Sequence, residues 1–206
     1  SESALQAQLD QVAIAHAEVR NAAEHLESRI GRAMTDLFFR PYTRKMWGLD
    51  LEDIDASVVK RIPIRLDDED RYFPGDRFQM LPRHGYARVF ENILDHANIA
   101  VRLATPFDRK MLSDYDAALL SCPIDEFYDY RFGELPYRSI RFHHQEATAS
   151  DGIAATINYT DDGPFTRETH WRLLPEHDNP ASALKTRTVE EPCDYRDNAL
   201  ERYYPV

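Results

Sequence analysis

The spacing of the glycines sets the first limit on this chain. The seven are Gly31, Gly48, Gly75, Gly85, Gly133, Gly152 and Gly163, and no two lie closer together than Gly75 and Gly85. A G-x-G-x-x-G loop or a P-loop needs glycines clustered within a few residues, so that backbone amides can approach a pyrophosphate. Neither loop can be built here. The chain therefore does not bind FAD, NAD or ATP in those ways, and a doubly wound α/β fold of the dinucleotide-binding type is excluded.

Hydrophobic periodicity predicts helices first and strands later. Leu5, Leu9, Val12, His16, Val19, Ala23, Leu26 and Ile30 recur at steps of four and three, which predicts a helix over residues 3–30. A dimer through this helix is a further expectation. A second helix is predicted over Arg32–Phe39, ending before Pro41, and a third after Leu51 through Val58 and Val59. Ile62, Ile64 and Leu66 alternate with Arg61, Pro63 and Arg65 as in a strand. Residues 86–96 read as a short helix and 99–103 as a strand. The last third carries four strand candidates, Arg138–Gln145, Ile153–Tyr159, Phe165–Trp171 and Leu184–Glu190, with turn residues between them. The fold class expected is α+β, a helical bundle over residues 1–60 beside a mostly antiparallel sheet with short helices over residues 61–206, and no Rossmann domain.

Charge narrows the partners. Lys and Arg number 25 against 36 Asp and Glu, a net charge of −11. Sequence-independent nucleic-acid binding needs a basic surface and is not expected. A nucleotide ligand remains compatible, because a few converging arginines can hold a diphosphate inside an acidic protein. The two cysteines, Cys122 and Cys193, show no metal or redox spacing. The sequence contains no signal peptide and no apolar run of membrane-spanning length, so a cytoplasmic location is expected.

Several motifs occur in one order: Phe38-Phe39-Arg40-Pro41-Tyr42-Thr43-Arg44-Lys45-Met46-Trp47-Gly48, Lys60-Arg61-Ile62-Pro63-Ile64-Arg65, Asp70-Arg71-Tyr72-Phe73, the run Pro123–Gly133, Asn158-Tyr159, Phe165-Thr166-Arg167 and Tyr203-Tyr204-Pro205. Together they resemble the UDP-galactopyranose mutases, whose members interconvert pyranose and furanose forms of a nucleotide-linked galactose against FAD. The resemblance implies that Tyr42, Thr43 and Trp47 flank the base and sugar. It implies that Arg65 and Arg167 bind the diphosphate, and that Tyr72, Asn158, Tyr203 and Tyr204 add hydrogen bonds. The chemistry agrees: arginine offers an always-charged planar fork for phosphate, and aromatic faces suit a nucleobase. Taken singly, Tyr42 and Trp47 read as core aromatics, and the two arginines as partners of the abundant carboxylates.

One departure stands out. Flavin-binding members carry Thr-Gly-Pro where this sequence has Ser121-Cys122-Pro123, which sets a side chain where the family's backbone approaches the cofactor. With the family's Rossmann segment unmatched, the expectation is a short, flavin-free mutase acting on a nucleotide-linked hexose. A GDP-hexose is favoured over UDP-galactose, by resemblance to short relatives. Without flavin, a departing diphosphate needs other stabilisation, and Mg²⁺ or Mn²⁺ is the expected supplement. Asp67, Asp68 and Asp70 are candidate oxygen ligands, although such a run is more often a solvated turn. Alternatives from other classes are a sugar-nucleotide-binding protein without catalysis and a piece of a flavin-dependent mutase.

Overall fold

The computed structural model describes residues 1–69, 73–78, 80–147, 154–174 and 186–206. Among them the helices are α1 (Glu2–Val12), α2 (Ala22–Met34), α3 (Arg40–Trp47), α4 (Ala56–Lys60), α5 (Gly85–Leu94) and α6 (Ile124–Phe127). The strands are β1 (Tyr137–Glu146), β2 (Thr156–Asn158), β3 (Arg167–His170), β4 (Thr186–Asp194) and β5 (Tyr204–Pro205). They form one sheet in the order β2-β3-β4-β1-β5, and every pairing is antiparallel. The α+β expectation holds. No helix among the described residues is long and apolar enough to cross a membrane.

The described residues of Ser1–Met80 and those from Tyr137 onward form one compact unit. Its helical core gathers Ala22, Ala23, Leu26 and Ile30 from α2 against Leu51, Ile54 and Val59. Leu81–Pro136 belong to a second unit. There Phe127 meets Tyr128 edge-on, and the Arg109 guanidinium lies over the Phe127 ring. The apolar residues of α5 find no cover: none of its residues is buried.

Local chemistry explains where the elements depart from expectation. The helix expected over residues 3–30 is two helices. The backbone turns extended at Ala13, and α2 restarts after Asn21. The Asn21 side chain accepts from the Glu24 amide at 2.9 Å, and the Glu24 carboxylate accepts from the Arg20 amide at 2.8 Å, a reciprocal cap that defines a helix start. Apolar spacing runs through this break because spacing reports a face, not the backbone between its members. Pro41 does not end a helix. A π-helical turn, Thr35–Phe39, leads into α3 with Pro41 in its first turn, where a missing N–H has no intrahelical partner to lose. Residues 62–66 are irregular, and Pro63 has no amide to give a ladder. Residues 99–103 form no strand either. Strands β1 to β4 lie within the four expected segments or overlap them, with Ile153 and residues 184–185 outside the described residues. Strand β5 was not among the expectations.

Gly31 kinks α2 where the end of α1 packs against it. Its φ of 71° and ψ of 167° lie in a region reserved almost wholly for glycine. A Cβ there would sit 2.5 Å from the Val12 carbonyl oxygen. Gly31→Ala should therefore destabilise the protein by about 1–3 kcal/mol from backbone strain, with the clash added. Urea unfolding checks it, and an unchanged midpoint would mean that the close approach of α1 is dispensable.

Candidate functional site

Antiparallel register places four side chains in a row on one sheet face. Asn158 of β2 pairs with Arg167 of β3, Arg167 with Glu190 of β4, and Glu190 with Phe142 of β1. The Arg167 Nη1 stands 3.7 Å from Glu190 Oε1, and its Nε donates to Asn158 Oδ1 at 3.4 Å. The Tyr42 phenol, reaching from α3, lies beside the same guanidinium. Burial alone disfavours the charged form of Arg167, but Glu190 and Tyr42 outweigh it and hold the pKa above its ordinary value. Burial likewise raises the Tyr204 phenol, with the nearby Arg167 charge opposing it. Arg167 and Tyr42 both line an open cleft of about 610 Å³, and the Tyr204 phenol lies near the same cation.

The cleft has an aromatic wall and a polar floor. Phe38, Phe39 and Tyr42 line it from the π-turn and α3, and Phe73 adds another ring. Asn158, Thr160 and Arg167 line it from the β2–β3 hairpin, and Arg61 and Ile62 from the segment after α4. Trp47 lies beyond Tyr42 on α3 and meets the Tyr204 ring at 5.9 Å. Tyr203 packs edge-on against Phe142 at 6.0 Å.

The structure thus brings Tyr42, Asn158 and Arg167 together, with Tyr204 and Trp47 adjacent. Thr43 is buried and is not among the lining residues. Arg65 is not among them either. It makes a two-pronged pair with Asp67, Nε to Oδ1 at 3.0 Å and Nη2 to Oδ2 at 2.6 Å. Tyr72 and Asp70 lie outside the described residues. Asp68 is exposed, and among the described residues no three His, Cys, Asp or Glu converge as a metal site would require. Sequence reasoning missed Arg61, Phe38, Phe39 and Phe73. The signal was present for Arg61, which stands in the same motif as Arg65, four residues earlier.

The opposite face of the same strands carries a buried polar network. Glu168 Oε1 takes the Arg187 guanidinium at 3.0 Å and faces His170 Nε2 at 2.6 Å, and its Oε2 accepts from the Tyr159 hydroxyl. Burial works to raise the Glu168 carboxyl, but Tyr159 and Arg187 outweigh it and hold it below the usual carboxylate range. Burial, reinforced by Glu168, pushes Tyr159 up to about 12. His143 and His144 point to opposite faces, His143 to Glu191 at 2.7 Å and His144 to Thr188 at 2.9 Å.

Comparison with known proteins gives the family. The family model described as UDP-galactopyranose mutase matches residues 37–206. A probable UDP-galactopyranose mutase of Klebsiella pneumoniae is 33% identical over 178 residues, covering 86% of this chain and 45% of that protein. The dTDP-fucopyranose mutase of Escherichia coli is 32% identical over 185 residues, 86% of this chain and 48% of that protein. The UDP-galactopyranose mutase of Mycoplasma pneumoniae is 30% identical over 182 residues, 82% of this chain and 45% of that protein. The chain spans about half the length of the curated relatives it matches. The matched stretch contains Tyr42, Arg61, Asn158, Arg167 and Tyr204.

The Glu168 network makes a pH-dependent prediction. A carboxyl depressed in the folded state adds stability above its unfolded pKa, lost as pH falls through the lower folded value. A raised phenol adds stability below its ordinary 10.0, lost as pH climbs toward about 12. Glu168→Ala leaves buried partners unpaired and should cost about 3–5 kcal/mol at neutral pH. The cost should shrink in acid, where the parent's own Glu168 is protonated. Denaturant titrations of both proteins across the acid range check this; equal stability at pH 7 would refute it.

Proposed function

The chain belongs to the UDP-galactopyranose mutase family, and from that premise we propose that it holds a nucleoside-diphosphate hexose in the cleft beside Arg167 and takes part in pyranose–furanose interconversion. The observation that carries the reading is the convergence of Arg167, Asn158 and Tyr42 from three elements on one aromatic-walled cleft. A diphosphate needs donors that stay charged when partly desolvated, which arginine does, and Glu190 and Tyr42 offset the burial of Arg167. Arg61 lines the same cleft and supplies a second cation. Tyr204 and Trp47 complete the contacts proposed for phosphate and sugar.

The finer proposal is ring contraction without flavin. The sugar 4-hydroxyl attacks the anomeric carbon, its proton passes to a base, and the bond from that carbon to the diphosphate oxygen breaks. The diphosphate then re-adds to the same carbon as the bond to the ring oxygen breaks, and that oxygen takes up a proton. Arg167 and Arg61 offset the negative charge that builds on the departing β-phosphate. Cys122, exposed where flavin-binding members carry glycine, supports a flavin-free reaction. A GDP-linked hexose is preferred to UDP-galactose on the resemblance to short relatives. A divalent cation held by the diphosphate oxygens is proposed as a supplement, and no step is assigned to it. The Asp67 carboxylate is already committed to Arg65.

A second reading, a piece of a flavin-dependent mutase, is favoured by one observation: Leu103, Leu119 and Phe132 of the second unit stand largely exposed.

Three measurements test these proposals. Titrating UDP- and GDP-hexoses should show binding that Arg167→Ala and Arg61→Ala each weaken by about 1.5–3 kcal/mol; parent-like affinity in both variants would remove the cleft from consideration. The purified protein should carry no flavin absorbance and still form furanose product. A bound yellow cofactor, or turnover only on adding flavin, would favour the second reading. Exhaustive EDTA treatment should lower turnover, with Mg²⁺ or Mn²⁺ restoring it; unchanged turnover would remove the cation.

A further inference from the structure

Lys45 lies on α3 between Tyr42 and Trp47, yet it is not among the residues lining the cleft. Its side chain is only 12% exposed. The ammonium has three N–H donors, and three acceptors meet them: the Tyr159 carbonyl at 2.9 Å, the Phe165 carbonyl at 2.7 Å and Asp161 Oδ1 at 3.1 Å. All three belong to the connection between β2 and β3. Tyr159 directly follows Asn158, and Phe165 stands two residues before Arg167. The turn between them is shaped further by Asp161, which accepts from the Gly163 amide at 3.0 Å.

Two features set Lys45 apart from an ordinary surface lysine. Surface lysines keep their charge in water and make weak pairs. Lys45 instead directs its charge inward, and two of its three acceptors are carbonyls, which no search for opposite charge would select. Those carbonyls are the ends of one turn, and the turn joins the strands that present Asn158 and Arg167. The cleft has one wall on α3 and its floor on this hairpin, so the ammonium ties wall to floor at a fixed spacing.

We propose that Lys45 is a positioning residue that sets the gap between the α3 wall, with Tyr42, and the hairpin floor, with Asn158 and Arg167, so that a nucleoside diphosphate meets both at once. This rests on the cleft being the nucleotide-sugar site. Lys45 touches no ligand itself. Without it the hairpin keeps its ladder, including the Tyr159 amide bond to the Thr166 carbonyl at 3.0 Å, but its tie to α3 is lost.

The test titrates UDP-galactose and GDP-fucose in parallel by calorimetry into the parent, Lys45→Met, Arg167→Ala and the double variant, with amide hydrogen exchange on each protein. Lys45→Met should weaken binding about tenfold and speed exchange over residues 156–167, while leaving the α2 core protected. Its effect should shrink in the Arg167→Ala background, because a misplaced arginine costs nothing once the arginine is gone. A purely structural lysine would give additive losses instead. If Lys45→Met does not fold, Asp161→Asn replaces it. That change keeps both carbonyl bonds, so about a two- to threefold loss is expected, with faster exchange confined to residues 160–164. Parent-like affinity in the variant, or additivity with Arg167→Ala, overturns the proposal. Failure of the parent to bind either sugar nucleotide overturns the functional reading, and the ligand-positioning role with it.

Discussion

The carboxyl end of α3 is the joint on which the cleft depends. A helix end leaves carbonyls without intrahelical donors. Here Arg138 of β1 supplies them, Nε to the Met46 carbonyl at 3.0 Å and Nη2 to the Lys45 carbonyl at 2.9 Å. The positive guanidinium also suits the negative end of the helix dipole. Gly48 makes the arrangement possible. Its φ of 69° ends the helix in a left-handed turn, and any Cβ there would stand 3.4 Å from Arg138 Nη1. The Arg138 carbonyl in turn accepts from the Tyr203 amide at 3.0 Å. One residue therefore fixes α3, β1 and the start of β5 relative to one another, and with them Tyr42, Trp47 and Tyr204.

For the proposed diphosphate to bind in so acidic a chain, the arginine beside it has to be directed and yet left available. Glu190 does this for Arg167, and the geometry shows how competition with a ligand is limited. At 3.7 Å the pair is loose, so Coulomb attraction survives while the guanidinium is not engaged in the tight two-pronged mode. Arg65 shows the contrast, because Asp67 takes both of its forks at 3.0 and 2.6 Å. Two arginines of similar sequence setting thus differ in availability. The difference lies in register: Glu190 is held opposite Arg167 by the β3–β4 ladder, whereas Asp67 is two residues from Arg65 and free to turn back on it.

That contrast marks how far the sequence could be read. Ordered motifs were enough to identify the family, and the resemblance named Tyr42, Asn158 and Arg167, which line one cleft in the structure. They did not separate Arg61 from Arg65. Both stand in one motif and both are arginine, and only the irregular path after α4 decides which one lines the cleft. Alternation at residues 62–66 implied a strand, but a ladder also needs a partner and free amides, and Pro63 lacks one. The close approach of α1 to α2 depends on Gly31 meeting Val12, a contact that no periodicity encodes. Thr43 differs from its neighbour Tyr42: the helix turns its side chain inward, where it is buried, while Tyr42 lines the cleft.

Register is also what separates the two chemistries of the sheet. Asn158, Arg167, Glu190 and Phe142 share one face, while Ile157, Glu168, Val189 and His143 alternate onto the other. A slip of one residue in β3 would send Glu168 into the cleft and Arg167 into the buried network, because side chains in a strand alternate with a period of two. The cleft would then repel the anion it now suits, and the network would hold two arginines without a carboxylate. Short strands fix register weakly, and β2 has three residues and β3 four. The pairing is therefore secured beyond the ladder. The Thr166 amide donates to the Glu190 carbonyl at 2.9 Å. Glu168 draws Tyr159, Arg187 and His170 onto the far face, and Lys45 grips both ends of the turn. The buried network beneath the cleft is thus part of the site, since it can be satisfied only in the register that delivers Arg167 to the other side.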